Sequence, residues 1–230
     1  MSINIPENKS ISSATKKLPC VILIDTSGSM SADQQKLVNG MEELKKYLSD
    51  DEMACSSVEV SIVTFDNEAK VAEPFGPIND LCIPSINCNG MTAMHAAVDI
   101  GLKTIDKRRS EYKQYGLSSY RPWMYMLTDG GANDSDNGSF KELVRRQENQ
   151  KLFFFPVAIG DTVDEKLLGS LHPDNEIFSI DRDRITKAFQ WLSDSLSSVS
   201  GTKSGTVTLS DPEDFGLQRK HIQIDVGDFD

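Results

Sequence analysis

The chain reads as an α/β protein: a doubly wound, mostly parallel sheet with one antiparallel edge strand and helices on both faces. Three observations carry that reading. Apolar runs of strand length alternate along the chain with stretches whose apolar residues recur every three or four positions. The first run, Leu18 to Ile24, is apolar without alternation, the mark of a central strand buried on both faces. Only one strand-to-strand connection, Asp66-Asn67-Glu68, is too short for a crossover. Strands separated by helical crossovers must run parallel, and right-handed connections place helices on both faces.

Each element follows from its residues. After the first strand ends at Asp25, Leu37, Met41, Leu44 and Leu48 repeat at helical spacing, so an amphipathic helix follows from Asp33 onward. Val58, Val60, Ile62, Val63 and Phe65 make a second strand, and 69–72 returns antiparallel as the sheet edge. A loop rich in Pro, Asn and Cys covers 74–90. A helix over 93–107 turns Ala97, Ile100 and Ile105 inward and ends in Lys107-Arg108-Arg109, read as a solvated helix end because cations favour that terminus. Trp123 to Leu127 form a strand that stops at Thr128-Asp129-Gly130-Gly131. The polar loop 132–138 reads as a mobile rim. Helix 139–150, strand 152–159, helix 164–171 and strand 177–180 then alternate. Ile185, Ala188, Phe189, Leu192, Leu196 and Val199 give a last helix one apolar stripe. Trp123 and Trp191 fall within apolar patterns and are core candidates.

These patterns divide the chain into a polar, mobile leader at 1–16, a folded domain at 17–200, and a polar, acidic tail at 201–230. The tail ends with alternating Ile222, Ile224 and Val226. It is either an unstructured end or a strand added to a sheet edge, in this molecule or a partner.

Composition narrows the function. With 230 residues and a net charge of −11, the chain is large enough for a substantial core and too acidic for general binding to a phosphate backbone. Nucleic acid is therefore not an expected partner. The early apolar run is only seven residues long, too short to span a bilayer, and no small-residue cleavage site follows it, so a cytoplasmic protein without membrane association is expected. Cys20, Cys55, Cys82 and Cys88 contain no C-x-x-C pair and are expected to be reduced and mostly buried.

In a doubly wound sheet, ligands gather where the carboxyl ends of the strands meet a switch in strand order. Asp25-Thr26-Ser27-Gly28-Ser29 follows the first strand, Thr92 precedes the helix at 93, and Asp129 ends a later strand. Two carboxylates and three hydroxyls, without His or Cys, suit a hard divalent cation; Mg²⁺ is the expected ion, with Mn²⁺ and Ca²⁺ as alternatives. Neutral hydroxyls leave the ion electrophilic and open to an outside oxygen, such as an acidic side chain of a partner protein. Taken singly, Ser29 and Thr92 read more readily as helix caps; taken with Asp25 and Asp129 they read as metal ligands.

The string Val21 to Met30, with Thr92 and Leu127-Thr128-Asp129-Gly130, resembles the von Willebrand factor type A domain and its metal-ion-dependent adhesion site over roughly residues 17–200. The resemblance implies metal ligation at Asp25, Ser27, Ser29, Thr92 and Asp129, direct or relayed by water, in a non-enzymatic protein-binding module. Within that family, Leu18-Pro19, Ser61 to Asp66 and Phe189 to Ser193 are similar to the soluble bacterial group associated with tellurite resistance. That likeness implies an adaptor working with kinase or phosphatase partners in stress response or phage defence.

The enzyme alternative is a haloacid-dehalogenase-like, Mg²⁺-dependent phosphatase with Asp25 as nucleophile, aided by Thr92 and by Asp129 with Asp134. That chemistry calls for a second Asp two residues beyond the nucleophile as general acid, where this chain has Ser27. No P-loop motif occurs. Aligning Gly138 with the glycine of a calcium loop puts Val144 where the bidentate Glu must stand. His95 reads as a surface or packing histidine in preference to a group supporting the site.

Overall fold

The structure, a computed structural model, describes residues 2–5, 15–202 and 205–223. Its sheet has seven strands in the order β4-β3-β2-β5-β6-β7-β9. These are β2 (Leu18–Asp25), β3 (Val58–Phe65), β4 (Ala69–Pro77), β5 (Trp123–Thr128), β6 (Phe153–Ile159), β7 (Glu176–Ile180) and β9 (Gln218–His221). β2, β3, β5, β6 and β7 are parallel. The expected antiparallel edge is β4 against β3, and it runs five residues further than the sequence indicated. β9 adds a second antiparallel strand on the opposite edge, against β7.

The unbroken apolar run of β2 is explained by its two buried faces. Cys20, Ile22 and Ile24 face one cluster, and Val21 and Leu23 face the other. On the first face lie α1 (Gln34–Asp50) and α6 (Ile185–Ser200), supplying Leu37, Met41, Leu44, Phe189, Trp191 and Leu192. The two helices approach so closely at Gly40 that any Cβ there would collide with the Phe189 ring. On the second face lie α3 (Met94–Gln114), α4 (Ser139–Glu148) and α5 (Glu165–Ser170), supplying Met94, Val98, Leu102, Leu143 and Leu168. The chain leaves β2 through α1 on one face and reaches β5 through α3 on the other. The strand order therefore switches between β2 and β5, whose carboxyl ends lie side by side.

Several segments differ from the sequence reading. Part of the expected leader, β1 (Ser2–Ile5), pairs antiparallel with β8 (Gly205–Thr208) from the expected tail. Backbone pairing satisfies these strands whatever the polarity of their side chains. Residues 6–14 of that leader lie outside the described residues. Of the alternating tail residues, Ile222 packs on the second core cluster, and Ile224 and Val226 lie outside the described residues. The strand that the tail adds to the seven-stranded sheet is β9, within this molecule. A short helix, α2 (Glu52–Ser57), was not anticipated; Asp51 caps it by accepting from the amides of Met53 and Ala54.

The charged run at 107–109 is not a helix end, since α3 continues to Gln114. Arg108 turns inward and donates to Glu59 Oε2 at 2.7 Å and to Glu111 Oε2 at 2.7 Å. Tyr112 donates to the same Glu59 oxygen at 2.6 Å, and Lys17 lies 3.5 Å from the other. Glu59 is buried on β3. Burial alone would raise its pKa, but the hydrogen bonds from Arg108 and Tyr112, with the charges of Arg108 and Lys17, outweigh it and hold the carboxyl below its ordinary value. A carboxylate whose folded pKa is depressed contributes stability above its unfolded pKa, about 4.3, and loses it as pH falls through the folded value. Urea unfolding between about pH 5 and pH 3 is expected to show a shallower acid loss in Glu59→Gln than in the parent chain.

Candidate metal centre

The five predicted residues converge at the switch point. Asp25, the last residue of β2, is fully buried. Its Oδ1 accepts the Ser27 amide at 2.8 Å and its Oδ2 accepts Thr128 Oγ1 at 2.6 Å. Burial raises its pKa, the Ser27 and Thr128 hydrogen bonds oppose that rise, and the nearby charge of Asp129 adds to it. The hydroxyls of Ser27 and Ser29 stand 3.1 Å apart, and Ser29 Oγ donates to Asp129 Oδ1 at 2.6 Å. Ser27 is buried while Ser29 is exposed, so the cluster opens to solvent on one side.

Thr92 reaches the same place on a separate loop. Its Oγ1 lies 3.5 Å from where a Cβ on Gly130 would stand, beside Asp129. Backbone hydrogen bonds tie this loop to the first: Asn89 N–H donates to Thr26 O at 2.9 Å and Gly28 N–H to Gly90 O at 3.1 Å. Gly90 is required for this junction, because its φ is +75° and a Cβ there would strike the Asn67 side chain.

The capping alternative for the hydroxyls does not hold. Neither Ser29 nor Thr92 makes a side-chain cap bond to a helix. The amino end of α3 is capped instead by Asp134, whose Oδ1 and Oδ2 accept the amides of His95 and Ala96 at 3.0 and 2.8 Å. Loop 132–138 is thereby pinned to α3, not a mobile rim, and Asn137 and Ser139 also donate to the His95 carbonyl. The His95 ring stacks on Phe140 with centroids 3.7 Å apart and has a packing role.

Two groups at this site were missed from the sequence. Arg182, just beyond β7, donates through Nη2 to Asp129 Oδ2 and through Nη1 to Asp33 Oδ2, each at 2.5 Å. Asp33 is buried and also accepts Lys36 Nζ at 2.7 Å. An arginine two residues past a strand, at the sheet end where the aspartates gather, was the available signal. Asp25, Asp33, Asp66 and Asp129 all act on Cys88: after burial, their charges push its thiol up to about 12.

Among the described residues, no three His, Cys, Asp or Glu side chains gather as a metal-holding group, so a cation here would depend on the hydroxyls. The donor set fits a hard cation. Both aspartates already accept orienting hydrogen bonds on each oxygen, while the serine hydroxyls retain acceptor lone pairs.

The sequence profile of the von Willebrand factor type A domain matches residues 20–191. The chain belongs to that family. No curated protein matches it in sequence. Among solved structures, the fold is similar to a von Willebrand factor type A protein from Catenulispora acidiphila, at 18% identity and TM-score 0.58, covering 80% of this chain and 43% of that one. It is also similar to the ArnB paralog VWA2 from Sulfolobus acidocaldarius, at 17% identity and TM-score 0.52, covering 87% and 48%. A third is proximal thread matrix protein 1 from the mussel byssus with a zinc-occupied MIDAS motif, at 14% identity and TM-score 0.56, covering 79% and 48%. The chain spans less than half the length of each of these. No helix among the described residues of this type A domain is long and apolar enough to cross a membrane.

Proposed function

We propose that the protein is a non-enzymatic adaptor that holds Mg²⁺ in a metal-ion-dependent adhesion site and captures an acidic side chain of a partner protein. Ser27, Ser29 and Thr92 would bind the ion directly, and Asp25 and Asp129 directly or through water. The observation that carries this reading is the pair of serine hydroxyls 3.1 Å apart, one donating to Asp129, at the solvent-facing mouth of a buried acidic cluster. The mussel protein's zinc-occupied motif lends support from a relative of the same fold. On an acidic chain, the ion supplies the local attraction for a carboxylate that the rest of the surface would repel.

The partner is a protein of the kinase or phosphatase class, and the setting is a bacterial cytoplasm under stress, as in the tellurite-resistance group. All four cysteines are free thiols, as in a reducing compartment, but only Cys20 and Cys88 are buried, while Cys55 is half-buried and Cys82 exposed. The phosphatase alternative is disfavoured by Ser27 in the place of a general acid and by Asp134, whose two oxygens are engaged at the end of α3.

A metal titration tests the reading. Free Mg²⁺ at 100 times its dissociation constant is expected to stabilise the protein by about 2.7 kcal/mol, roughly 5–10 °C in melting temperature for a domain of this size. Asp25→Ala and Ser27→Ala are expected to remove the shift. An unchanged melting temperature in the parent chain at saturating Mg²⁺, Mn²⁺ and Ca²⁺ would overturn it. Turnover of a phosphomonoester that is lost in Asp25→Asn but kept in Ser29→Ala would favour the enzyme instead.

A further inference from the structure

A basic cavity lies at the other end of the sheet. The amino ends of β2, β5 and β6 border a cavity of about 210 Å³ lined by Lys16, Arg109, Arg121 and Lys151 over the rings of Tyr120 and Phe153. In a chain with 35 acidic and 24 basic residues, four cations and, among the described residues, no acidic side chain line this cavity. Among the described residues none of the four forms a salt bridge, whereas the other inward arginines, Arg108, Arg146 and Arg182, each hold carboxylates.

Two of them, Lys16 and Arg121, are nevertheless held in place. Lys16 Nζ sits 4.2 Å from the Tyr120 ring centroid and Arg121 Cζ sits 4.2 Å from that of Phe153. Arg121 has one weak side-chain bond, to Gln150 Oε1 at 3.4 Å. Lys16 and Arg121 are half-buried, and burial holds both below their usual pKa values. An anion would offset that loss of hydration. Cations contributed by four separate segments can surround an oxyanion, and a guanidinium fork suits phosphate geometry. A carboxylate offers one negative charge to this group, whereas a phosphate monoester offers up to two.

We propose that this cavity binds a small phosphorylated molecule through Lys16, Arg109, Arg121 and Lys151. It is independent of the metal centre, which occupies the opposite ends of the strands. The test is calorimetric titration of the full chain with inorganic phosphate, pyrophosphate and adenosine monophosphate, in EDTA and at constant ionic strength set with chloride. Saturable binding is expected, weakened about tenfold in Arg121→Gln and in Lys16→Gln and unchanged in Asp25→Ala. Pyrophosphate binding as tightly as the nucleotide would assign recognition to the phosphoryl groups alone; tighter nucleotide binding would add the aromatic floor. The two variants lie on different segments, so a folding defect in one leaves the other as a readout, with circular dichroism checking each. Absence of saturable binding by all three probes, or equal affinity in the folded variants, would overturn the proposal.

Discussion

Arg182→Gln is expected to lower the stability of the metal-free protein by about 3 kcal/mol, the low end of the range for breaking a buried ion pair. At the same time, it is expected to raise affinity for Mg²⁺. The low end applies because the guanidinium is about one-third exposed, although both carboxylates it holds, on Asp33 and Asp129, are almost wholly buried. Without it, Asp33 keeps Lys36, but among the described residues Asp129 keeps only the Ser29 hydroxyl, a neutral donor. A buried carboxylate in that position favours a cation in place of the lost guanidinium. On the metal reading proposed above, Arg182 is a tethered cation already seated on Asp129 and repels the ion that would sit beside it. Removing it exchanges an internal counter-charge for an external one. Melting curves with EDTA and with saturating Mg²⁺ are expected to diverge more in Arg182→Gln than in the parent chain, and titration calorimetry is expected to show tighter binding. Affinity falling together with stability would mean that Arg182 supports the ion instead of competing with it. Arg182→Lys, which keeps the charge but not the two-pronged geometry, is expected to fall between the two.

The parts of the fold legible in the sequence are those whose side chains report burial. The run from Val21 to Ile24 could only be a strand covered on both faces, and the stripe from Ile185 to Val199 could only be an amphipathic helix. Where the backbone pairs without an apolar signature, the sequence is silent. β9, Gln-Arg-Lys-His, joins the sheet through main-chain bonds to β7 while its side chains stay largely in water, as suits an edge strand. α3 was cut short because Arg108 looks solvated in one dimension; only the fold brings Glu59 and Tyr112 to meet it. The centre shows the same division. Asp25, Ser27 and Ser29 are close in sequence and form a readable pattern, and Thr92 and Asp129 follow from strand-end placement. Arg182 and Asp33, 149 residues apart, become neighbours only when β7 and β2 lie in one sheet with their carboxyl ends together.

Trp191→Ala is expected to have the larger effect on stability, about 3–5 kcal/mol and upwards of roughly 6 °C in melting temperature. The indole is fully buried on α6, with Phe178, Phe155 and Tyr125 at centroid distances of 5.3, 5.5 and 6.1 Å. It therefore bonds the helix to three neighbouring strands at once, and none of those rings can close the space it would leave without abandoning its own contacts. Its Nε1 also donates to the Ser210 carbonyl at 3.0 Å, and Ser210 Oγ donates to Asp194 of the same helix, so the segment leading to β9 is held against α6 by two side chains. Trp191→Phe separates the two roles. It keeps most of the apolar volume and loses the donor, and is expected to cost about 1–3 kcal/mol, chiefly from the carbonyl left unpaired. The core role and the site are separable as well. Asp25 is held by Ser27 and Thr128, none of which touches Trp191 or its aromatic partners through a hydrogen bond or ring contact. The stability changes of Trp191→Ala and Asp25→Ala are therefore expected to add within about 0.5 kcal/mol in a double-mutant cycle. A coupling beyond about 1 kcal/mol would mean that α6 and the centre share a packing state that the two local networks do not reveal.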